Sequence, residues 1–229
     1  MAPLPRTILG IDSSTGACSV ALRRGPDLLA VRREDMTRGQ SERLAPMTEA
    51  VMRDAGIGFD DLDAVAVSRG PGSFTGLRIG LAFAKGLGQA LGIPVLGVSG
   101  FDAVARAARA AAKDAGSVLA ILLESRRADL FLQVFTPDGV QAGAPAALPA
   151  DAIAEHLTAS AAAVPVLLAG DAAGKVAPLL GDACVRSPAT VPDADHVSAL
   201  GLALLEAGTE SPAVPLYLRA PDVTRPVAS

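Results

Sequence analysis

Ser68-Arg69-Gly70-Pro71-Gly72-Ser73-Phe74-Thr75-Gly76-Leu77-Arg78-Ile79-Gly80 reads as the end of a strand, a glycine-rich turn and the start of a helix with Ser73 or Thr75 as N-cap. The N–H groups at such a start favour anions, so a phosphate cradle is one reading of the turn. It is not a Walker A loop, because no Gly-Lys-Ser/Thr follows at the required spacing. The helix is expected to run from about Phe74 to Leu91, and along it Gly76, Gly80, Ala84 and Gly88 recur every four residues and share one face. Each helical glycine costs about 1 kcal/mol relative to alanine. The run therefore needs an offset, such as the close approach of another backbone. Either the protein's own sheet or a second subunit could provide it. Arg78 and Phe83, beside that face, join the four small residues as candidates for a partner interface.

Outward from this helix the chain alternates strand and helix signals. Thr7–Ile11 and Ala17–Leu22 are apolar runs joined by the polar turn Asp12-Ser13-Ser14-Thr15-Gly16, and Leu28–Glu34 follows the Gly25-Pro26-Asp27 turn. Ser41–Ala55 carries Leu44, Met47, Thr48, Val51 and Met52 at helical spacing, with Gly56 as a stop. Asp63–Ser68 and Ile93–Val98 read as buried strands and Phe101–Lys113 as a helix, giving β-β-β-α-β-α-β-α. The second half repeats the theme more loosely, with strands at Val118–Leu123, Asp129–Thr136 and Val164–Leu168. Helices are expected near Asp151–Leu157 and over Val197–Ala207, and the proline-rich segment Pro212–Pro226 is expected to run extended. Antiparallel strands followed by alternating units, seen twice, predict an α/β protein of two ribonuclease-H-like lobes. The expected division is residues 1–100 and a smaller second lobe with its tail over 101–229.

Composition narrows the functional classes. The 229 residues are 50% hydrophobic and 19% charged, with a formal net charge of −4, which excludes an intrinsically disordered chain. Six Phe, one Tyr and no Trp leave few rings for stacking on bases, and the mild acidity argues against a dedicated nucleic-acid binder. Cys18 and Cys184 fit no metal or redox motif and read as packing thiols. No apolar stretch reaches a membrane span and the N-terminus lacks a signal-peptide pattern, so a soluble cytoplasmic protein is expected.

GPGSFTGLRIG, followed by Ala84-Lys85-Gly86-Leu87, together with Ile11-Asp12-Ser13-Ser14-Thr15, Gln40-Ser41-Glu42-Arg43-Leu44 and the ending Pro215-Leu216-Tyr217-Leu218-Arg219, resembles the TsaB (YeaZ) family. The likeness is strong over residues 7–101 and weaker afterwards. It implies the actin-like, sugar-kinase and Hsp70 (ASKHA) type of fold. It also implies a role beside TsaD, the metal-bearing catalytic paralogue, and the ATPase TsaE in placing threonylcarbamoyl on adenosine 37 of tRNAs that read ANN codons. Such members act by pairing with TsaD, or as a homodimer when alone, and meet tRNA through the complex.

The residues themselves carry no catalytic constellation. TsaD holds its metal through H-x-x-x-H on a helix, whereas the corresponding stretch here, Gln40-Ser41-Glu42-Arg43-Leu44, has no histidine, and family members often show one where Gln40 stands. His156 and His196 are 40 residues apart with no Cys or His cluster nearby, so no metal site is expected. ATP-using members of the fold grip phosphates between two glycine-containing hairpins with an Asp near magnesium. The first survives as Asp12-Ser13-Ser14-Thr15-Gly16, but the second reads Leu123-Glu124-Ser125-Arg126-Arg127-Ala128-Asp129, without glycine. The adenosine-binding glycines would fall in Ala169-Gly170-Asp171-Ala172-Ala173-Gly174, which a plain strand-to-helix turn explains equally well. Arg126 and Arg127 could bind phosphate or a carboxylate partner, or simply cap a solvated strand end. No cofactor is expected, and the sequence reads as a non-catalytic subunit. The alternatives are a degenerate ATPase or kinase, a metallopeptidase-like enzyme, or a homodimeric chaperone-like binder.

Overall fold

The computed structural model describes residues 5–112, 116–160 and 165–219. The chain opens with a meander of β1 (Thr7–Asp12), β2 (Ala17–Arg24) and β3 (Asp27–Asp35), antiparallel throughout, with a register shift between Leu22 and Arg23. Helix α1 (Gln40–Ala55), β4 (Ala64–Ser68), α2 (Phe74–Leu91), β5 (Val95–Val98) and α3 (Gly100–Ala111) follow. Both β1–β4 and β4–β5 pair in parallel, giving the order β3-β2-β1-β4-β5. Gly56 ends α1 in the left-handed conformation at φ 66°, where its N–H and that of Ile57 satisfy the carbonyls of Arg53 and Met52.

The second half repeats the plan. It runs through β6 (Leu119–Glu124), β7 (Asp129–Phe135), β8 (Ala146–Pro149), α4 (Ala150–Ser160), β9 (Val166–Ala169), α5 (Ala173–Leu180), β10 (Cys184–Arg186) and α6 (Ala194–Glu206). The second sheet has the order β8-β7-β6-β9-β10, again three antiparallel strands followed by two parallel ones. The two halves therefore match each other strand for strand, in the duplicated α/β architecture read from the sequence.

Side-chain alternation divides each sheet between two layers of helices. In the first sheet Leu9, Ile11, Val65 and Val67 face Leu44, Met47 and Val51 of α1 and Leu81 of α2. Ile8, Ala64 and Ala66 face Val197 and Leu202 of α6. In the second sheet Leu122, Leu130 and Leu132 pack with Ile153 and Leu157 of α4 and Val176 of α5, while Leu119, Ile121, Leu123 and Phe131 pack with Phe101 and Val104 of α3. Helix α6 thus belongs to the second half of the chain but covers the first sheet, coming so close that a Cβ on Gly201 would lie 2.3 Å from Ala66 Cβ. Beyond it the chain follows the open edge of β5, where Gly97 N–H donates to Ser211 O (2.8 Å), and crosses to the start of the glycine loop, where Leu216 N–H donates to Arg69 O (2.7 Å).

Several elements depart from the sequence reading. β8, α5 and β10 stand where no element was expected, since each is short and only weakly patterned. The last helix begins at Ala194 rather than Val197, because Asp193 caps it by accepting from Asp195 N–H at 3.0 Å. Lys113, Val164 and the stretch 220–226, assigned above to a helix, a strand and the extended tail, lie outside the described residues.

Candidate functional site

The turn after β1 and the start of α2 form one unit. Asp12 ends β1 fully buried, with its Oδ1 accepting from the Ser14 hydroxyl at 2.6 Å and its Oδ2 lacking a hydrogen-bond partner. Burial pushes its carboxyl up to about 6, helped slightly by the Asp193 carboxylate and opposed by the hydroxyls of Ser14 and Ser68. The glycine loop lies directly over this turn. Ser73 N–H donates to Ser14 O at 2.7 Å and the Ser13 hydroxyl donates to Gly76 O at 2.8 Å. A Cβ would fall 2.1 Å from Ser14 O at Gly72 and 2.1 Å from Ser13 O at Gly76. Of the two candidate caps the structure uses Ser73, whose Oγ accepts from Gly76 N–H at 3.4 Å.

The hairpin between β6 and β7 carries Arg126 in the left-handed region at φ 62°, a conformation that side chains other than glycine rarely adopt. The Arg127 N–H donates to Ser125 Oγ at 3.2 Å. The glycine turn after β9 is tied to the same hairpin, since Asp171 Oδ1 accepts from Glu124 N–H at 2.9 Å and Lys175 pairs with Glu124 at 2.7 Å. Burial raises the Asp171 carboxyl above its ordinary value. Gly170, at φ 107°, would place a Cβ 1.9 Å from Leu122 O, so this glycine seats the turn against β6. His156 and His196 lie on α4 and α6 respectively, and among the described residues no group of three or more His, Cys, Asp or Glu gathers as a metal would require. Burial pushes the Cys18 thiol up to about 12, which suits packing rather than reactivity.

The six interface candidates on α2 separate into two sets. Gly76, Gly80, Ala84 and Gly88 are buried and turned inward. Added Cβ atoms would meet Ser13 O at Gly76, Ser13 Oγ at 2.5 Å at Gly80, and Val95 Cγ2 at 2.3 Å at Gly88. The close approach that the repeat demands is therefore made by the protein's own first sheet and turn. Arg78 and Phe83 lie at the surface, exposed and half-buried respectively. Arg78 is engaged within the chain: its guanidinium sits 3.7 Å from the centroid of the Phe74 ring, and its Nε donates to the Tyr217 hydroxyl at 3.2 Å. Phe74 and Tyr217 stack with centroids 5.6 Å apart. Sequence reading missed this cluster, and its signal was the chain's single tyrosine inside the Pro215–Arg219 ending. The outward face of α2 presents Ala82, Gly86 and Ala90, with Ile79 and Phe83 half-buried beside them. No helix among the described residues is long and apolar enough to cross a membrane.

Comparison with known proteins agrees with this architecture. Residues 31–178 match the family model described as TsaD, tRNA N6-adenosine threonylcarbamoyltransferase. An uncharacterised protein of Mycobacterium tuberculosis, Rv3421c, is 36% identical over 97% of this chain and 95% of its own. The Escherichia coli tRNA threonylcarbamoyladenosine biosynthesis protein TsaB is 41% identical over 101 residues, covering 44% of this chain and 43% of its own. The solved structure of YeaZ from Pseudomonas aeruginosa superposes with a TM-score of 0.76 at 29% identity, covering 93% of this chain and all of that one. With a shared duplicated ASKHA fold and similarity along nearly its whole length, this chain belongs to the TsaB (YeaZ) family.

Proposed function

We propose that this protein is a non-catalytic subunit that works beside TsaD and TsaE in threonylcarbamoylation of adenosine 37 in tRNAs reading ANN codons. One observation supports the non-catalytic reading: Ser73 N–H donates to Ser14 O at 2.7 Å and a Cβ on Gly72 would fall 2.1 Å from the same oxygen, so the chain's own helix start packs directly onto the hairpin that ATP-using members of the fold use for phosphate. The second hairpin, with arginines in place of glycine, supports the same reading. Residues 1–100 form the lobe that docks. The outward face of α2 is its contact, with Arg78 and Phe83 beside the small exposed residues Ala82, Gly86 and Ala90. The buried Gly76, Gly80, Ala84 and Gly88 hold the helix in place behind it. The partner is TsaD, or a second copy of this chain when TsaD is absent, and tRNA is met through the complex.

Sedimentation of the chain alone and mixed with the cognate TsaD tests this, alongside mass spectrometry of nucleosides from tRNA modified in a reconstituted reaction. The self-associated species is expected to give way to a mixed one, and omission of this chain is expected to abolish the modified nucleoside. Ala82→Arg, at an exposed position, should leave the melting temperature within about 2 °C, as expected of surface substitutions, while the mixed species is lost. Normal assembly of Ala82→Arg would overturn the docking face. Steady ATP turnover by the isolated chain, abolished by Asp12→Ala, would establish the enzyme reading instead. Binding of unfolded clients without TsaD would favour the chaperone-like one.

A further inference from the structure

Residues 209–219 run from just past α6 across both lobes, and the two halves of this segment are held in different ways. The first half is built into the first lobe. Gly97 N–H donates to Ser211 O at 2.8 Å, and the Ser211 hydroxyl donates back to Gly97 O at 2.6 Å. Pro212 bridges Leu96 in antiparallel fashion, so the segment covers the open edge of β5. Ala213 is 6% exposed within the core shared by α1 and the first sheet, and a Cβ on Gly97 would meet Pro212 O at 2.5 Å. The second half leaves the first lobe after one backbone bond, from Leu216 N–H to Arg69 O at 2.7 Å, and finishes on the second lobe. Leu216 and Leu218 lie against the cluster of Phe101 and Phe131, and Arg219 pairs with Asp129 at the start of β7. Its remaining ties are the stack of Tyr217 on Phe74 and the bond from Arg78 to the Tyr217 hydroxyl. These are contacts between partly exposed side chains, each weak on its own.

We infer that this segment is a latch, permanently anchored at 211–213 and releasable at 216–219, that holds the two lobes in one arrangement while its far end is seated. A second junction between the lobes lies at α3 and α6. There α3 packs on the second sheet and α6 on the first, and Ala103 shares a cluster with Val197 and Leu202. Two packed helices that each serve the opposite sheet can act as a hinge, and movement about such a junction is the rule unless a large apolar interface prevents it. The latch supplies the restraint through a few contacts, and the end with the fewest buried ties opens first. Where α2 is the docking helix proposed above, a seated latch makes both lobes follow a partner bound to it, and a released one lets only the first lobe follow. The latch itself is a property of the chain alone, so its test needs no partner and stands whether or not α2 docks.

Hydrogen exchange at two amides of the full chain, followed by NMR, separates the two ends. In the double variant Tyr217→Ala, Arg219→Ala the protection of Leu216 N–H should fall about tenfold or more, while that of Gly97 N–H changes by less than about twofold. Tyr217→Phe, which keeps the stack and loses only the hydroxyl that accepts from Arg78, should fall between parent and double variant. Lobe movement is read on the same variants by energy transfer between fluorophores at Arg53→Cys on α1 and Glu155→Cys on α4, both exposed positions. Cys184→Ser removes the half-exposed thiol, and Cys18 is buried. The parent should give one narrow distance distribution and the double variant a broader one. The proposal is overturned if Leu216 is unprotected in the parent or keeps its protection in the double variant. It is overturned equally if Leu216 and Gly97 lose protection together, as they would were the segment one cooperative part of the first lobe. Release of Leu216 with a distance distribution as narrow as the parent's would also overturn it, because the segment would then restrain nothing.

Discussion

Gly76→Ala is expected to destabilise the protein by about 3 kcal/mol, whereas Gly86→Ala, ten residues further along the same helix, is expected to stabilise it by up to about 1 kcal/mol. In a free helix both changes would help equally, because alanine restricts the unfolded backbone and favours the helix. The surroundings set opposite signs. At Gly76 the new methyl would sit 2.1 Å from the Ser13 carbonyl oxygen, a backbone atom that cannot swing aside. The helix start must lift, and with it go the bonds from Ser73 N–H to Ser14 O and from the Ser13 hydroxyl to Gly76 O. At Gly86 nothing lies within 4 Å of the added Cβ, so only the propensity gain remains. For a domain of this size the two variants should move the melting temperature by roughly −10 °C and +3 °C. Thermal unfolding followed by circular dichroism measures both. Equal shifts of the same sign would mean that the helix does not rest on the β1–β2 turn.

That contrast shows what the sequence could and could not disclose about α2. A four-residue repeat of small side chains states that something approaches the helix closely, but the repeat is silent on whether the neighbour is the same chain. The structure answers through Gly80, whose added Cβ would meet Ser13 Oγ at 2.5 Å and Val67 Cγ2 at 3.7 Å; Gly80→Leu, an obvious probe of a subunit contact, would therefore test folding. The strong periodic elements were legible because their burial is two-sided or one-faced in a regular way. β1 is buried along its whole length and α1 buries Leu44, Met47, Thr48, Val51 and Met52 on one stripe. The short edge elements β8 and β10 were not, since 146–149 and 184–186 are largely half-exposed and offer too few residues for a pattern. The return of α6 to the first sheet was equally hidden. It depends on Gly201 meeting Ala66 from 135 positions away in the chain, and no local period encodes such a pairing. The two hairpins and the missing histidine pair were readable one by one. The Arg78–Phe74–Tyr217 cluster joins residues 139 positions apart, and only the fold brings them together.

Asp12→Asn should convert a pH-dependent stability into a nearly pH-independent contribution at this site. Burial holds the folded carboxyl at about 6, against an ordinary value of 3.8. Between those values the unfolded chain has released the Asp12 proton and the folded chain still holds it, so the folded state binds more protons and stability falls as pH rises. The contribution is full below about pH 4 and gone above about pH 6. A shift of about two pH units corresponds to about 3 kcal/mol. Asparagine is neutral throughout and fits the same space, so the difference in unfolding free energy, variant minus parent, should climb by about 3 kcal/mol between pH 4 and pH 7.5. Other groups also titrate here. Burial raises Asp102 and Asp171, which act in the same direction as Asp12, and lowers His196, whose contribution is instead lost as pH falls. They are present in both proteins and largely cancel in the difference. Urea unfolding at closely spaced pH values supplies the curve. A flat difference would show that Asp12 is ionised in the folded protein across the whole range, as a solvated carboxylate would be. The seal made by Gly72 and Ser73 over the β1–β2 turn would then be open, and the turn would be free to hold a phosphate or its magnesium ion as the ATP-using members of this fold do.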